Sequence, residues 1–333
     1  MPAALKDIAF ELMGWLLTPL GVGLLWGARA LWRRRVGSTR GRLLAALAVM
    51  AVLLAIPALT LGGYGLWVRY RPQPSPAERL LHPGIHHRVL ARDEPRPLVV
   101  HVATVELDTP GLSLVLTPPS STPGCLSAAT GSGFLDEHHV QLAINTQFFY
   151  VCPGHVGPDE LDANALRPGQ PLRPVGVYAV AGETVVGQAW NGNTVYFGED
   201  GSVSLYEAPA SIHHAVSGRH RLVEGGAAAT VDDGLLAPRV ALGFDETRRR
   251  MTVVLVDGRQ RGYSEGMTLP EMSALLLELG VHDAIELDGG GSATLVTEGE
   301  DGEPEVLNSP IHSRIPGRER PVANHLGVRV ASP

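Results

Sequence analysis

The chain has 333 residues with 27 Lys and Arg against 34 Asp and Glu, and a mean hydropathy of +0.08. Nine of the basic residues and two of the acids precede residue 72, so the remaining 18 basic and 32 acidic residues give the rest of the chain a net charge of −14. A domain that acidic lacks the broad positive surface that nucleic acid requires, so no nucleic-acid partner is expected, and an anionic ligand would have to be held by a few local arginines.

Leu43 to Val68 is a 26-residue run without a charge, long enough to cross a bilayer. Arg69 and Arg71 follow it, and Tyr64, Trp67 and Tyr70 sit where an interfacial aromatic belt belongs. Ile8 to Trp26 is a second candidate span, weakened by Glu11 and Pro19. Between the two lie Arg29, Arg33, Arg34, Arg35, Arg40 and Arg42, a cluster that should stay cytoplasmic. Residues 1–71 therefore read as a membrane anchor of two transmembrane helices. Both termini and the large domain are expected outside a bacterial inner membrane, facing the periplasm or exterior. A cleaved signal fits less well, because the long apolar run starts late. Residues 72–94, opening on the proline-rich Arg71 to Pro76, read as a linker, and 95–333 as the working domain. Outside the cytosol, Cys125 and Cys152 are either a disulfide or two separate buried thiols.

Leu98 to Leu107 and Leu112 to Leu116 read as a hairpin around Thr109-Pro110-Gly111. Val140 to Ile144 is a strand ending at Asn145, which is either a ligand contact or a turn residue. Cys152 to Pro174 is a long polar loop with Asp159, Glu160, Asp162 and Arg167. Hairpins are expected over Val175 to Val186 and Val195 to Leu205, with a further turn at Asp232-Asp233-Gly234. Arg239 to Phe244 and Met251 to Val256 are strands, the second running into Asp257-Gly258-Arg259. Thr268-Leu-Pro-Glu271 is a capping box, Met272, Leu275, Leu276 and Leu279 form an apolar stripe, and Gly280 is a stop, so a helix is predicted there. Strand, helix and strand between 251 and 288 suggest a crossover unit. The hairpins elsewhere argue for a mixed α+β fold of largely antiparallel sheets with packed helices, preceded by the two transmembrane helices.

The stretch Asp283 to Val296 carries the chemistry. A short apolar strand delivers Glu286 and Asp288 to one face, since side chains two apart on a strand point the same way. Gly289, Gly290 and Gly291 let the backbone approach a ligand, and their N–H groups, with the hydroxyl of Ser292, suit a phosphate. A tight turn with solvated acids is the plainer alternative.

Asn145 with Phe148-Phe149, Arg239-Val-Ala-Leu-Gly, Val256-Asp-Gly-Arg259, Gly266-Met-Thr268-Leu, Leu287-Asp-Gly-Gly-Gly-Ser292, Asn308 and Arg320-Pro-Val-Ala-Asn324 occur together in this order. In that order and rough spacing the chain resembles the phosphodiester glycosidase domain family, over about residues 95–332. The resemblance implies hydrolysis of the bond between a sugar's anomeric carbon and a phosphodiester oxygen, in cell-surface or exported glycans. Asp288, Glu286 and Asp257 are then the candidate acids, one of them serving as nucleophile, general base or oxocarbenium stabiliser. Gly289 to Ser292 would cradle the phosphate, Arg239, Arg259 and Arg320 would clamp it, and Asn145, Asn308 and Asn324 would bind sugar hydroxyls.

Each assignment has a structural alternative. Glu286 could partner a buried arginine, Asp257 could cap a turn, and Thr268 could serve only as the helix cap. Thr146 stands where the family has Gly, so a strained or reshaped corner is expected there. No His-Glu-x-x-His or Cys-x-x-Cys spacing occurs, so no metal or cofactor is expected, with a calcium in the 159–162 loop left open. Two other functions remain at this stage: cleavage of the P–O bond at the same site, and non-catalytic glycan binding.

Overall fold

The computed structural model describes residues 17–26, 29, 39–152, 165–188 and 190–331. The chain divides into two compact units, residues 1–72 and 73–333. In the first, a 32-residue helix, Thr39–Tyr70, contains the apolar stretch Leu43–Tyr70. Its 28 residues extend about 42 Å at helical rise, more than the roughly 30 Å of a bilayer core. Trp67 stacks near Tyr64 at 5.9 Å and lies under the Arg71 guanidinium at 5.3 Å, so the helix end is amphipathic as a membrane interface requires. A shorter helix, Leu17–Trp26, packs on it where Gly21 meets Leu59 and Gly62 meets Thr18. One described helix, not the expected two, has the length and composition to cross a membrane. Residues 8–16 of the second candidate lie outside the described residues.

The second unit is built on an eight-stranded sheet. Its order is Ala77–His82, Ile85–Arg92, Leu98–Glu106, Arg250–Val256, Arg239–Phe244, Asp283–Leu287, Arg221–Glu224 and Ala227–Ala228, with every pairing antiparallel. Residues expected to form a linker are thus two strands at its edge. Their Arg, His and Glu side chains hid the strand pattern, although such charges are common on sheet edges. The crossover is present in modified form. Arg250–Val256 and Asp283–Leu287 run parallel but are separated by Arg239–Phe244, which is antiparallel to both.

The sheet has two apolar faces. On one, Ala241, Val254, Val256 and Ala284 pack against Met272, Leu275 and Leu276 of the helix Leu269–Glu278. That helix starts as its sequence predicts: Thr268 and Glu271 form a reciprocal capping box. On the other face, Val240, Leu242, Ile285 and Leu287 pack against Leu142, Ile144, Leu295 and Leu326. Those belong to a five-stranded sheet ordered Pro304–Val306, Leu295–Glu298, Leu142–Asn145, His325–Val330 and Leu112–Leu116. A second five-stranded sheet holds both predicted hairpins, Tyr178–Val180 with Glu183–Val186 and Thr194–Phe197 with Val203–Leu205. A three-stranded sheet is pinned by a disulfide between Cys125 and Cys152. A helix the sequence did not suggest, Gly131–His138, is capped by Thr130, and Glu319 accepts from the Ser132 N–H and hydroxyl.

Candidate active site

The strand Asp283–Leu287 is central and buried along its length, and its C-terminal end opens into the glycine turn. The backbone fixes this turn from both sides. The Asp288 N–H donates to the Thr146 carbonyl at 2.7 Å, and Gly290 N–H donates to Pro238 at 2.9 Å. The Asn145 side-chain amide donates to the Asp288 carbonyl at 2.6 Å, and its oxygen accepts from the Thr294 N–H at 3.0 Å. Asn145 therefore ties the two ends of the turn together. Gly289 has to be glycine, because a Cβ there would lie 2.5 Å from the Pro238 oxygen. Gly290 adopts a φ of +61°, which glycine takes without steric cost.

Asp288 is 9% exposed at the mouth of the turn. Burial pushes its carboxyl up to about 7, helped by the negative charge of Glu286 and opposed by a hydrogen bond with Ser292 and by Arg320 and Arg259. Two guanidinium groups lie over the glycines. That of Arg259 would be 3.2 Å from a Cβ on Gly290, and that of Arg320 would be 2.5 Å from one on Gly291. Arg320 donates to the Ser292 hydroxyl and to His312 Nδ1, both at 3.2 Å. Among the described residues the Arg259 guanidinium donates no hydrogen bond. Partial burial and the charges of Arg314, Arg320 and Arg239 lower the pKa of Arg259, and burial lowers that of Arg320; in both, Asp288 acts the other way. Two cations thus crowd one desolvated acid, leaving positive charge for an anion to neutralise.

Beside this cleft lies a second, closed group of charges. Arg239 donates to the Met267 carbonyl, to both oxygens of Asp233, to the Leu235 carbonyl and to Glu286 Oε1, all between 2.7 and 3.1 Å. Burial works against its charge, and Asp233 and Glu286 more than offset that, so its pKa rises. Its five donors are all engaged, which corrects the expectation that it clamps phosphate. Glu286 is 2% exposed, and its second oxygen lies 2.7 Å from His220 Nδ1. It takes the structural alternative, as the partner of a buried arginine, and is closed off from a substrate.

The chain is similar to known proteins. A family model for phosphodiester glycosidases matches residues 138–329. The chain belongs to the phosphodiester glycosidase family. A hypothetical protein from Synechocystis superposes with a TM-score of 0.53 at 15% identity, over 78% of this chain and 64% of that one. The zebrafish N-acetylglucosamine-1-phosphodiester alpha-N-acetylglucosaminidase catalytic domain, auto-inhibited by its pro-peptide, superposes at 0.52 with 19% identity, over 79% of this chain and 86% of that one. At these identities the likeness is one of fold. No curated protein sequence matches the chain.

Within this family member the remaining sequence candidates separate. Asp257 does not face the cleft: its carboxylate accepts from Asn308 Nδ2 and the Ser309 N–H at 3.0 Å, so it anchors a loop. Asn308 in turn also bonds the Ala293 carbonyl and the Leu295 N–H, at 3.2 and 2.9 Å, and has no free arm for a sugar. Asn324, fully buried, pairs with Gln147 through both its amide atoms. The N–H groups of Gly290 and Ser292 are bonded to Pro238 and Gly289, so the anion cradle is lined chiefly by guanidinium groups. Thr146 does not take a positive φ, and the expected strain at that corner is absent. The 159–162 loop lies outside the described residues, and among the described residues no metal-binding group of three or more His, Cys, Asp or Glu assembles.

Sequence reasoning assigned no site role to His220 or Asp233, nor to the cluster formed by Phe148, Trp190 and Arg219. Phe148 meets Trp190 edge-on at 6.1 Å and lies under the Arg219 guanidinium at 5.7 Å. Phe148 stands in the motif that follows Asn145 and Asp233 in a predicted turn, but no local motif marks Trp190, Arg219 or His220; only backbone pairing brings 219–220 beside Glu286.

Proposed function

We propose that this site hydrolyses the C1–O bond of a glycosyl-1-phosphodiester. The observation that carries the reading is Asp288, desolvated and flanked by Arg259 and Arg320 above a glycine turn. A phosphodiester bears one negative charge, which the two guanidinium groups would hold through their remaining donors. Its approach favours the protonated form of Asp288, because a second anion raises the pKa of a buried carboxyl. Protonated Asp288 donates to the phosphate as the C1–O bond breaks and the electron pair leaves with the phosphate. This general-acid role was not among those suggested by the sequence, and it follows from the raised pKa. Trp190, 46% exposed, and Phe148 offer ring faces for the sugar or the rest of the glycan.

The Cys125–Cys152 disulfide supports an oxidising compartment, and the apolar helix Leu43–Tyr70 supports a membrane anchor. Together they favour an exported or cell-surface glycan as substrate. The test is a panel of sugar-1-phosphodiesters incubated with the detergent-solubilised chain in ¹⁸O-water. Label in the released sugar supports the proposal. Label in the phosphate means P–O cleavage, and saturable glycan binding without turnover means a binding protein; either result rejects it.

A further inference from the structure

The glycosidase reading supplies an acid and an anion clamp but leaves the hydrolytic water without a base. We propose that His220, held by Glu286, takes the proton from that water; this inference rests on the glycosidase reading. His220 Nδ1 lies 2.7 Å from Glu286 Oε2, and the other Glu286 oxygen is fixed at 2.7 Å by Arg239. Glu286 is ion-paired with Arg239, so its second oxygen is an acceptor and Nδ1 is the nitrogen that donates to it. The lone pair is then on Nε2. The ring is 28% exposed while the Glu286 side chain is 3% exposed. Nε2 has no protein partner among the described residues. The carboxylate is therefore a positioning group, and the imidazole is the part of the pair that meets solvent.

Backbone pairing places His220 on the Asp288 side of the sheet. The Arg219 N–H donates to the Glu286 carbonyl and the Glu286 N–H to the His220 carbonyl, both at 2.8 Å. His220 thus sits beside Glu286 in the bend that precedes the strand Arg221–Glu224, and Asp288 follows Glu286 by two residues. Two residues of strand separate the backbones of Glu286 and Asp288 by roughly 7 Å. The proposed step requires Asp288 and the His220 imidazole to stand about 6.5–9.5 Å apart, which leaves room for a water on the far side of the sugar ring. In the step proposed, the water oxygen bonds to C1 as its proton passes to His220 Nε2. The C1–O bond to phosphate breaks, and the phosphate monoester leaves with the electron pair and the proton of Asp288. His220 then releases its proton to solvent and Asp288 is reprotonated from solvent, so the anomeric configuration is inverted.

The informative variant is His220→Asn, whose amide still donates to Glu286 from the Nδ1 position but offers no base at Nε2. On the phosphodiester the wild-type chain turns over, we expect kcat to fall about 100-fold or more, with KM within threefold and the melting temperature unchanged. Imidazole should restore turnover in His220→Gly and not in Asp288→Asn, and NMR should show the inverted sugar as first product. A kcat for His220→Asn within threefold of wild type, or retention at C1, overturns the inference while leaving the glycosidase reading intact. Absence of turnover by the wild type on every diester rejects both.

Discussion

Replacing Asp288 by Asn should stabilise the domain while abolishing its activity, and pH should reveal why. An ordinary aspartate ionises near 3.8, and burial moves Asp288 to about 7. Below about pH 4 the folded and unfolded chains both hold this proton, and the site costs nothing. Between about 4 and 7 the unfolded chain releases it and the folded chain keeps it, so stability falls as pH rises. Above 7 both are ionised and the loss is complete, roughly 4 kcal/mol for a shift of about three units at 1.36 kcal/mol each. Asn is never ionised and removes that loss. Urea denaturation followed by circular dichroism should therefore show Asp288→Asn and wild type alike near pH 4 and the variant more stable at pH 8, by up to about 4 kcal/mol. Other ionisable groups cancel in this double difference. The same variant should lose about 100-fold or more in kcat/KM. A variant less stable than wild type at pH 8, or shifted equally at both pH values, refutes the idea that Asp288 is a desolvated acid.

The two kinds of arginine should separate under mutation. Arg239→Met strands Glu286 in the interior with only His220 beside it, and should cost about 3–5 kcal/mol in urea titration, with Lys recovering only part. Inorganic phosphate should raise the melting temperature of the wild type, and Arg259→Met should abolish that rise while changing stability by less than about 1 kcal/mol. Cys125→Ser opens a loop of sequence separation 27 and should cost about 3.5 kcal/mol at 25 °C by loop-closure entropy, measured against the oxidised wild type. Activity should decline as pH rises through about 7, as Asp288 loses the proton it donates; a flat kcat/KM profile from pH 6 to 8.5 would count against the acid role.

Much of this was legible in the chain because some signals are local. The capping box at Thr268 and Glu271 and the hairpins over Val175–Val186 and Val195–Leu205 are each complete within a few residues and form as read, whereas the hairpin expected around Thr109-Pro110-Gly111 does not, because Leu98–Glu106 and Leu112–Leu116 find their partners in different sheets. What the sequence hid is decided by partners far away. Arg239 and Arg259 both border an acid-bearing strand end and look equivalent as letters. The first lies opposite Glu286 through strand pairing and finds Asp233 in the preceding turn, while the second, with φ of +60°, swings over Gly290. Asp257 and Asp288 both follow a buried strand. Only the loop carrying Asn308 and Ser309, 51 and 52 residues on, makes the first structural. The edge strands at 77–92 were obscured for another reason, since their half-exposed positions carry charge and break the apolar alternation.

The division of labour between Glu286 and Asp288 follows from where the sheet ends. Glu286 still lies between two strands, so a cation from one side and an imidazole from the other can reach its two oxygens. Asp288 is one pleat further out, beyond the last paired residue, where sheet neighbours no longer supply partners. It is buried nonetheless, because Thr146 fixes its backbone through a carbonyl and the glycine turn folds back on Pro238. The bond at Thr146 is made by backbone atoms, so it does not depend on which side chain stands there. A charge removed from water without a committed counter-ion is costly to the fold. On the proposed function, a bound phosphate would accept a hydrogen bond from protonated Asp288 and sit between Arg259 and Arg320, and the cost of burying the acid would reappear as affinity for the anion.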